Sequence, residues 1–246
     1  MLPKKERVVI GDGPSGLDIC LEIATVAKQV HLSTRSSEIE VLKLDNYENL
    51  WNHSKIVNVD ESGEVTFLDG SSIHADIILH CTGYKYDFPF LETNGIVSVD
   101  DKGRVVGPLY KHVFPPKLSP CLSFVGIPYQ TFPCDDQGIV FLMFELQAKW
   151  IAQVLSGKVF LSEEEMLADV EDHNRQLEEA GTQKRHTHRL HPQMEYMDWI
   201  AAQMGIPSVD AGLKEMYWSI YRCAGEVGYA NYRNLWVFDN LAKLSL

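Results

Sequence analysis

Between Arg7 and Arg35 the chain reads RVVIGDGPSGLDICLEIATVAKQVHLSTR, and no other stretch restricts its fold so tightly. Arg7-Val8-Val9-Ile10 is a short apolar run of strand type that breaks into Gly11-Asp12-Gly13-Pro14-Ser15-Gly16, a G-x-G-x-x-G. Leu17, Cys20, Leu21, Ile23, Ala24 and Ala27 then recur at helical spacing, and Val30-His31-Leu32 reads as a second strand. A glycine turn between a strand and a helix, closed by a further strand, is the context in which this motif binds a dinucleotide. Gly11 allows the tight exit from the strand, Gly13 lets the backbone approach a pyrophosphate, and Gly16 lets the helix sit close on the strand. Pro14 suits the first helical position, where its missing N–H has no partner to lose. The free N–H groups of that first turn face an anion.

The end of the second strand selects the nucleotide. An NAD site places Asp or Glu there, about 20 residues past the glycines, against the ribose hydroxyls. Here the residues are Ser33-Thr34-Arg35. A guanidinium offers a planar fork to a 2′-phosphate, and two hydroxyls add donors. The pattern therefore predicts NADP(H). A glycine turn that only packs a helix on a strand shares the same spacing; the basic strand end favours the nucleotide. Asp12 fits a pyrophosphate site only if its carboxylate points away.

Composition narrows the rest. A length of 246 residues suits one large or two small domains, and a formal charge of −12 argues against nucleic-acid or anionic-membrane partners. Cys20, Cys81, Cys121, Cys134 and Cys223 are scattered with no C-x-x-C, which predicts reduced thiols in a cytoplasmic protein and no zinc site. The apolar stretch 138–155 is interrupted by Glu145, Gln147 and Lys149, so no membrane span is expected. Met1 to Glu6 is too short and polar for a leader.

Further along, Ser36 to His53 lacks a clear period and reads as a loop or short helix. Lys55–Asn58 reads as a strand. Asp69-Gly70 joins Glu64–Phe67 to Ser72–His74 as a hairpin placed to cover a sheet edge. Ala75–His80 is a buried-strand pattern that runs into Cys81-Thr82-Gly83-Tyr84, either a close approach to a cofactor or a plain strand exit. Val97–Asp100 with Gly103 suggests another hairpin, and Leu122–Gly126 another short strand. Asp135 and Asp136 are placed to cap a helix over Gln137–Leu155. Ser162-Glu163-Glu164-Glu165 opens a further helix as a capping box, with Gly181 beyond its end. Helices are expected near Glu195–Met204 and Ala211–Tyr221. His186, His188 and His191 stand among arginines and read as a solvated basic loop in preference to a metal site. There is no G-x-S-x-G and no Tyr-x-x-x-Lys. Without a resident acid–base pair, a second cofactor is the natural acceptor of a nicotinamide hydride.

The motifs GDGPSG (11–16), STR (33–35), HCTGYKYDFPFLE (80–92), GPLYKHVFPP (107–116), LSFVGIP (122–128), FELQAKW (144–150) and YMDWIAAQ (196–203) together resemble the flavin-containing monooxygenases, the plant S-oxygenating branch most closely. The resemblance implies an α/β fold with a Rossmann-like NADPH-binding domain over 1–84. An incomplete FAD-domain remainder over 85–158 and a helical tail over 159–246 would follow. It implies NADP(H) and FAD as cofactors, O2 as co-substrate, and S- or N-oxygenation of a small thioether or amine through a C4a-hydroperoxyflavin. Gly11, Asp12, Gly13, Pro14, Ser15 and Gly16 would hold the NADPH pyrophosphate, with Arg35 on the 2′-phosphate. Thr82, Gly83 and Tyr84 would form the crossover between domains, and Gly126 with Gln147 part of the FAD site. No metal is implied. The family's earlier glycine motif for FAD is absent, so the resemblance implies a truncated, C-terminal portion of such an enzyme. The alternative is a catalytically inactive NADP(H)-binding remnant.

Overall fold

The computed structural model describes residues 5–35, 41–44, 47–129, 137–190 and 192–227. The chain divides into two compact units, Met1–Tyr84 and Lys85–Leu246.

The first unit is built on β1 (Glu6–Ile10), α1 (Pro14–Ala24) and β2 (Gln29–Ser33), as the apolar pattern dictates. Then come β3 (Leu42–Lys43), β4 (Leu50–His53), β5 (Ile56–Val59), β6 (Glu64–Phe67), β7 (Ser72–His74) and β8 (Ile77–His80). Five of these form one sheet in the order β3-β4-β2-β1-β8, with β4, β2, β1 and β8 parallel and β3 antiparallel at the edge. Side chains alternate across a strand, so Val8 and Val9 of β1 face opposite sides. Val9 packs with Val30, Leu32 and Leu50 beneath Cys20 and Ala24 of α1. Val8 packs with Val65, Phe67 and Ala75. Each fully buried aliphatic side chain here stabilises the unit by roughly 2 kcal/mol.

Two expectations change. Ser36–His53 is not simply a loop or short helix: Leu50–His53 is the fourth parallel strand, paired with β2 from Val30↔Leu50 to Ser33↔His53. Its four residues carry no local period, and the ladder with β2 decides the conformation. The hairpin around Asp69-Gly70 does form, β6 pairing β7 antiparallel with Gly70 at φ +88°. It joins β5 in a separate three-stranded sheet. Val65 and Phe67 lay that sheet on the face of β1 and β8, not along an edge.

The second unit begins with β9 (Ser98–Val99) and β10 (Val106–Gly107), paired antiparallel as the hairpin expectation required. Leu122–Gly126 is not a strand. The Phe124 N–H donates to Val113 O at 2.8 Å, but among the described residues that bond does not extend to a ladder, and Phe124 packs with Val106, Leu109 and Ile127 instead. Helices follow: α2 (Gln137–Leu155), α3 (Glu163–Glu179), α4 (Gln193–Gln203) and α5 (Ala211–Val227). The proposed caps Asp135 and Asp136 lie outside the described residues. Ser162 does cap α3, accepting from the Glu165 N–H, and Glu163, Glu164 and Glu165 complement the helix dipole. All four helices contribute to one core around Trp150, whose ring meets Phe114 at 5.0 Å and Trp199 at 5.4 Å between centroids. None of the helices over the described residues is long and apolar enough to cross a membrane.

Candidate nucleotide-binding site

The glycine turn is held by backbone contacts that leave no space for side chains at two of its three glycines. Gly11 leaves β1 at φ +110°, and a Cβ there would stand 2.4 Å from the Cys81 carbonyl oxygen. Its N–H donates to Ser33 O at 2.9 Å, and the Cys81 N–H donates to Ile10 O at 2.8 Å, so the turn is fixed to both neighbouring strands. A Cβ on Gly16 would stand 1.8 Å from Gly11 O. Gly13 differs: its φ is −74°, and a Cβ there would meet nothing within 4 Å. It is the N-cap of α1, carries no side-chain cap, and precedes Pro14 at the first helical position. The first-turn N–H groups of α1 therefore open where a ligand can approach. Asp12, Pro14 and Ser15 are exposed around that opening.

β2 ends beside it. Ile10 pairs with Ser33, so the two strands deliver Gly13 and Arg35 to the same carboxyl edge of the sheet, where α/β folds bind ligands. Ser33, Thr34 and Arg35 are not equivalent. The Ser33 hydroxyl donates to Ser54 O at 3.0 Å and is buried. The Thr34 N–H donates to His53 O at 3.0 Å, and its Oγ1 is sealed with no hydrogen-bond partner among the described residues. Both residues tie β2 to β4. Arg35 is exposed, with no ion pair among the described residues, and alone of the three presents its side chain outward. Nearby, Ser54 Oγ donates to Asp69 Oδ2 at 2.7 Å and the Ser71 N–H donates to Asp69 Oδ1 at 2.8 Å. Burial opposes ionisation of Asp69, yet hydrogen bonds from Ser71 and Ser54 hold its carboxyl down at about 2. Sequence reasoning took Asp69 only as a turn residue and missed this support; its Asp-Gly context signals the turn but not the partner.

Across β1, Cys81 follows β8 and its carbonyl makes the close approach to Gly11. Thr82, Gly83 and Tyr84 come after it and are exposed, Gly83 at φ +78° and Tyr84 at 97% exposure. The residue of this segment that shapes the turn is thus Cys81. Only the parallel pairing of β1 with β8 reveals it.

In the second unit, Gly126 has φ +83°, and a Cβ there would press on the Phe144 ring at 3.1 Å. Its N–H donates to Gln147 Oε1 at 2.9 Å, Gln147 Nε2 donates to Tyr196 Oη at 2.8 Å, and Tyr196 Oη donates to Lys111 O at 2.7 Å. Gln147 is wholly buried, with both ends of its amide engaged. It clamps the Gly126 turn. His188 is not in a solvated basic loop: it is 2% exposed, accepts from the Val106 N–H at 3.0 Å, and burial pushes its imidazole down to about 4. His191 lies outside the described residues.

Residues 47–213 match the model of the flavin-binding monooxygenase-like family. The chain belongs to that family. It is 48% identical over 238 residues to flavin-containing monooxygenase FMO GS-OX-like 2 of Arabidopsis thaliana, covering 95% of this chain and 49% of that protein. The solved S-allyl-L-cysteine S-oxygenase from Allium sativum superposes with a TM-score of 0.82 at 45% identity, over 95% of this chain and 52% of that one. Tmm from Pelagibacter sp. strain HTCC7211 shares the fold at a TM-score of 0.71 and 22% identity. This flavin-binding monooxygenase-like chain thus spans about half the length of the relatives it matches. The α/β class and the family resemblance read from the sequence both hold.

Proposed function

We propose that this chain supplies the NADP(H)-binding portion of an NADPH- and FAD-dependent monooxygenase that oxygenates small soft nucleophiles, thioethers or amines, with O2. One observation carries the reading: the open N-cap at Gly13 and the outward Arg35 leave from paired, parallel strand ends. The residues present fit NADP(H). The first turn of α1 would face its pyrophosphate, Gly13 would admit the approach, and Arg35 would pair with the 2′-phosphate. Gly11, Gly16 and Cys81 would hold the turn rigid. When bound, the nicotinamide supplies a hydride. The chain spans about half the length of its relatives, and the Gly126 N–H is bonded to Gln147. That favours a second reading for the chain in isolation, a catalytically inactive NADP(H)-binding remnant.

Two measurements test this. Fluorescence titration should show NADPH bound at least about tenfold more tightly than NADH, with the preference lost in Arg35→Gln. Equal affinities in the unsubstituted chain would remove the role of Arg35. Adding FAD, removing the excess and recording the visible spectrum then separates the readings. A retained flavin band with thioether-stimulated NADPH oxidation supports the oxygenase, whereas colourless protein that still binds NADPH supports the remnant.

A further inference from the structure

The second unit contains a cavity of about 520 Å³ whose lining includes buried His112 and His188, with Val106 and Leu109 at its base and Val170 and Leu177 from α3 on its wall. The two imidazoles form a relay whose proton positions follow from the backbone. The Val106 N–H donates to His188 Nε2 at 3.0 Å, so Nε2 is an acceptor and the His188 proton sits on Nδ1. His188 Nδ1 lies 3.0 Å from His112 Nδ1 and must donate to it. That leaves the His112 proton on Nε2. Among the described residues this Nε2 has no partner, and it is not one of the polar atoms sealed away from solvent.

The relay ends on a neutral N–H donor of a residue that lines the cavity. Lys111 and His112, the central residues of the turn closed by the Val113 N–H on Tyr110 O, occupy the left-handed region at φ 47° and 61°, which non-glycine residues rarely adopt. Such strain persists where surroundings over-determine it, and it gathers at functional sites. The Tyr110–Phe114 turn supplies that constraint, with the Tyr110 N–H donating to Phe114 O at 2.7 Å and Tyr196 Oη donating to Lys111 O at 2.7 Å.

The chemistry of the lining selects the ligand. The charged groups, Asp100, Glu178 and Lys184, are of mixed sign, and Glu178 and Lys184 are exposed at the rim. Beside the donor the lining is Val106, Leu109, Val170 and Leu177 with the Asn174 amide and the His173 ring, whose centroid lies 5.4 Å from that of His112. The adjacent cation, Lys111, is already paired with Asp169, so a carboxylate seated there would be desolvated with no unpaired lysine beside it. A neutral donor is matched by a neutral acceptor. We propose that this cavity binds a small, uncharged, largely apolar molecule through one carbonyl-type acceptor bonded to His112 Nε2–H. All of its lining residues belong to the second unit.

Three probes of the same carbon count test the class on the full chain: acetanilide (neutral carbonyl), phenylacetate (anion) and phenethylamine (cation). Binding is followed by the imidazole nitrogen resonances of His112 and His188. Acetanilide should shift His112 Nε2 saturably, with a dissociation constant on the order of millimolar. The other two probes should bind at least about tenfold more weakly. His112→Phe keeps the ring and removes the donor, and should weaken acetanilide by about tenfold or more. Val170→Trp should fill the cavity and abolish binding while leaving both imidazole signals in place. That second variant keeps the test decisive if His112→Phe does not fold. A preference for phenylacetate or phenethylamine, no saturable shift with any probe, or undiminished binding in Val170→Trp would each overturn the proposal.

Discussion

Gly13 and Gly16 stand three residues apart in one motif, yet alanine at each should have opposite consequences. At Gly16 the added Cβ would sit 1.8 Å from Gly11 O and 2.9 Å from Gly11 C, both backbone atoms. Gly11 cannot yield, because its N–H is bonded to Ser33 O and its Cα side is pressed by the Cys81 carbonyl. Relief requires α1 to lift from the sheet, losing contacts of Cys20 and Ala24 with Val9 and Val30. We expect Gly16→Ala to cost about 3 kcal/mol or more, a large share of a typical domain stability. At Gly13 the Cβ meets nothing within 4 Å, and φ −74° suits any L-residue. The weaker capping of alanine is offset by the lower entropy of the unfolded chain, so the net change should stay within about 1 kcal/mol. The methyl group would instead occupy the space through which the proposed pyrophosphate would approach, and NADPH affinity should fall about tenfold or more, about 1.4 kcal/mol. Urea unfolding gives the first quantity and NADPH fluorescence titration the second. Wild-type NADPH affinity in Gly13→Ala would refute the approach at this opening. Wild-type stability in Gly16→Ala would refute the packing role.

Acid should loosen the first unit early: burial, then the neighbouring His53, pushes His31 down to about 4 from an ordinary 6.5, with Glu6 opposing. The stability this neutral imidazole supports is fully present above pH 6.5 and is lost as pH falls toward 4; between pH 7 and 5 the loss should be about 2 kcal/mol, and His31→Gln should flatten it in urea unfolding. Asp69, held at about 2, contributes stability that disappears only at lower pH, so the two windows do not overlap. Gln147→Leu strands the Gly126 N–H and removes a donor from Tyr196, and should cost about 2 kcal/mol in thermal or urea unfolding. Trp150→Ala empties the centre of the second core and should cost about 4 kcal/mol by the same measurement, whereas a loss under 1 kcal/mol would mean that core is not organised around this ring.

The strand, glycine turn, helix and second strand were legible in the residues because each is specified locally: an apolar run, glycines at fixed offsets, apolar residues at helical spacing. The same holds for the Asp69-Gly70 hairpin, for Ser162 as a cap, and for α2, whose bounds Gln137–Leu155 agree with the expectation. Leu50–His53 could not be read this way. Four residues carry no period, and their conformation is set by hydrogen bonds to a strand some twenty positions away in the chain. Leu122–Gly126 misled for the converse reason: a strand-like composition without a neighbouring ladder remains irregular.

Sequence alone determined which residues could meet a nucleotide and what charge Arg35 would offer it, since residue type and spacing carry that chemistry. Tertiary structure decided which of them are free to do so. It turned Ser33 and Thr34 inward onto β4, engaged both ends of the Gln147 amide, and brought His188 from a basic segment into the core against Val106 and His112. The physical reason is that a polar group's availability depends on whether a partner distant in sequence has already taken it, and only the packed chain settles that competition.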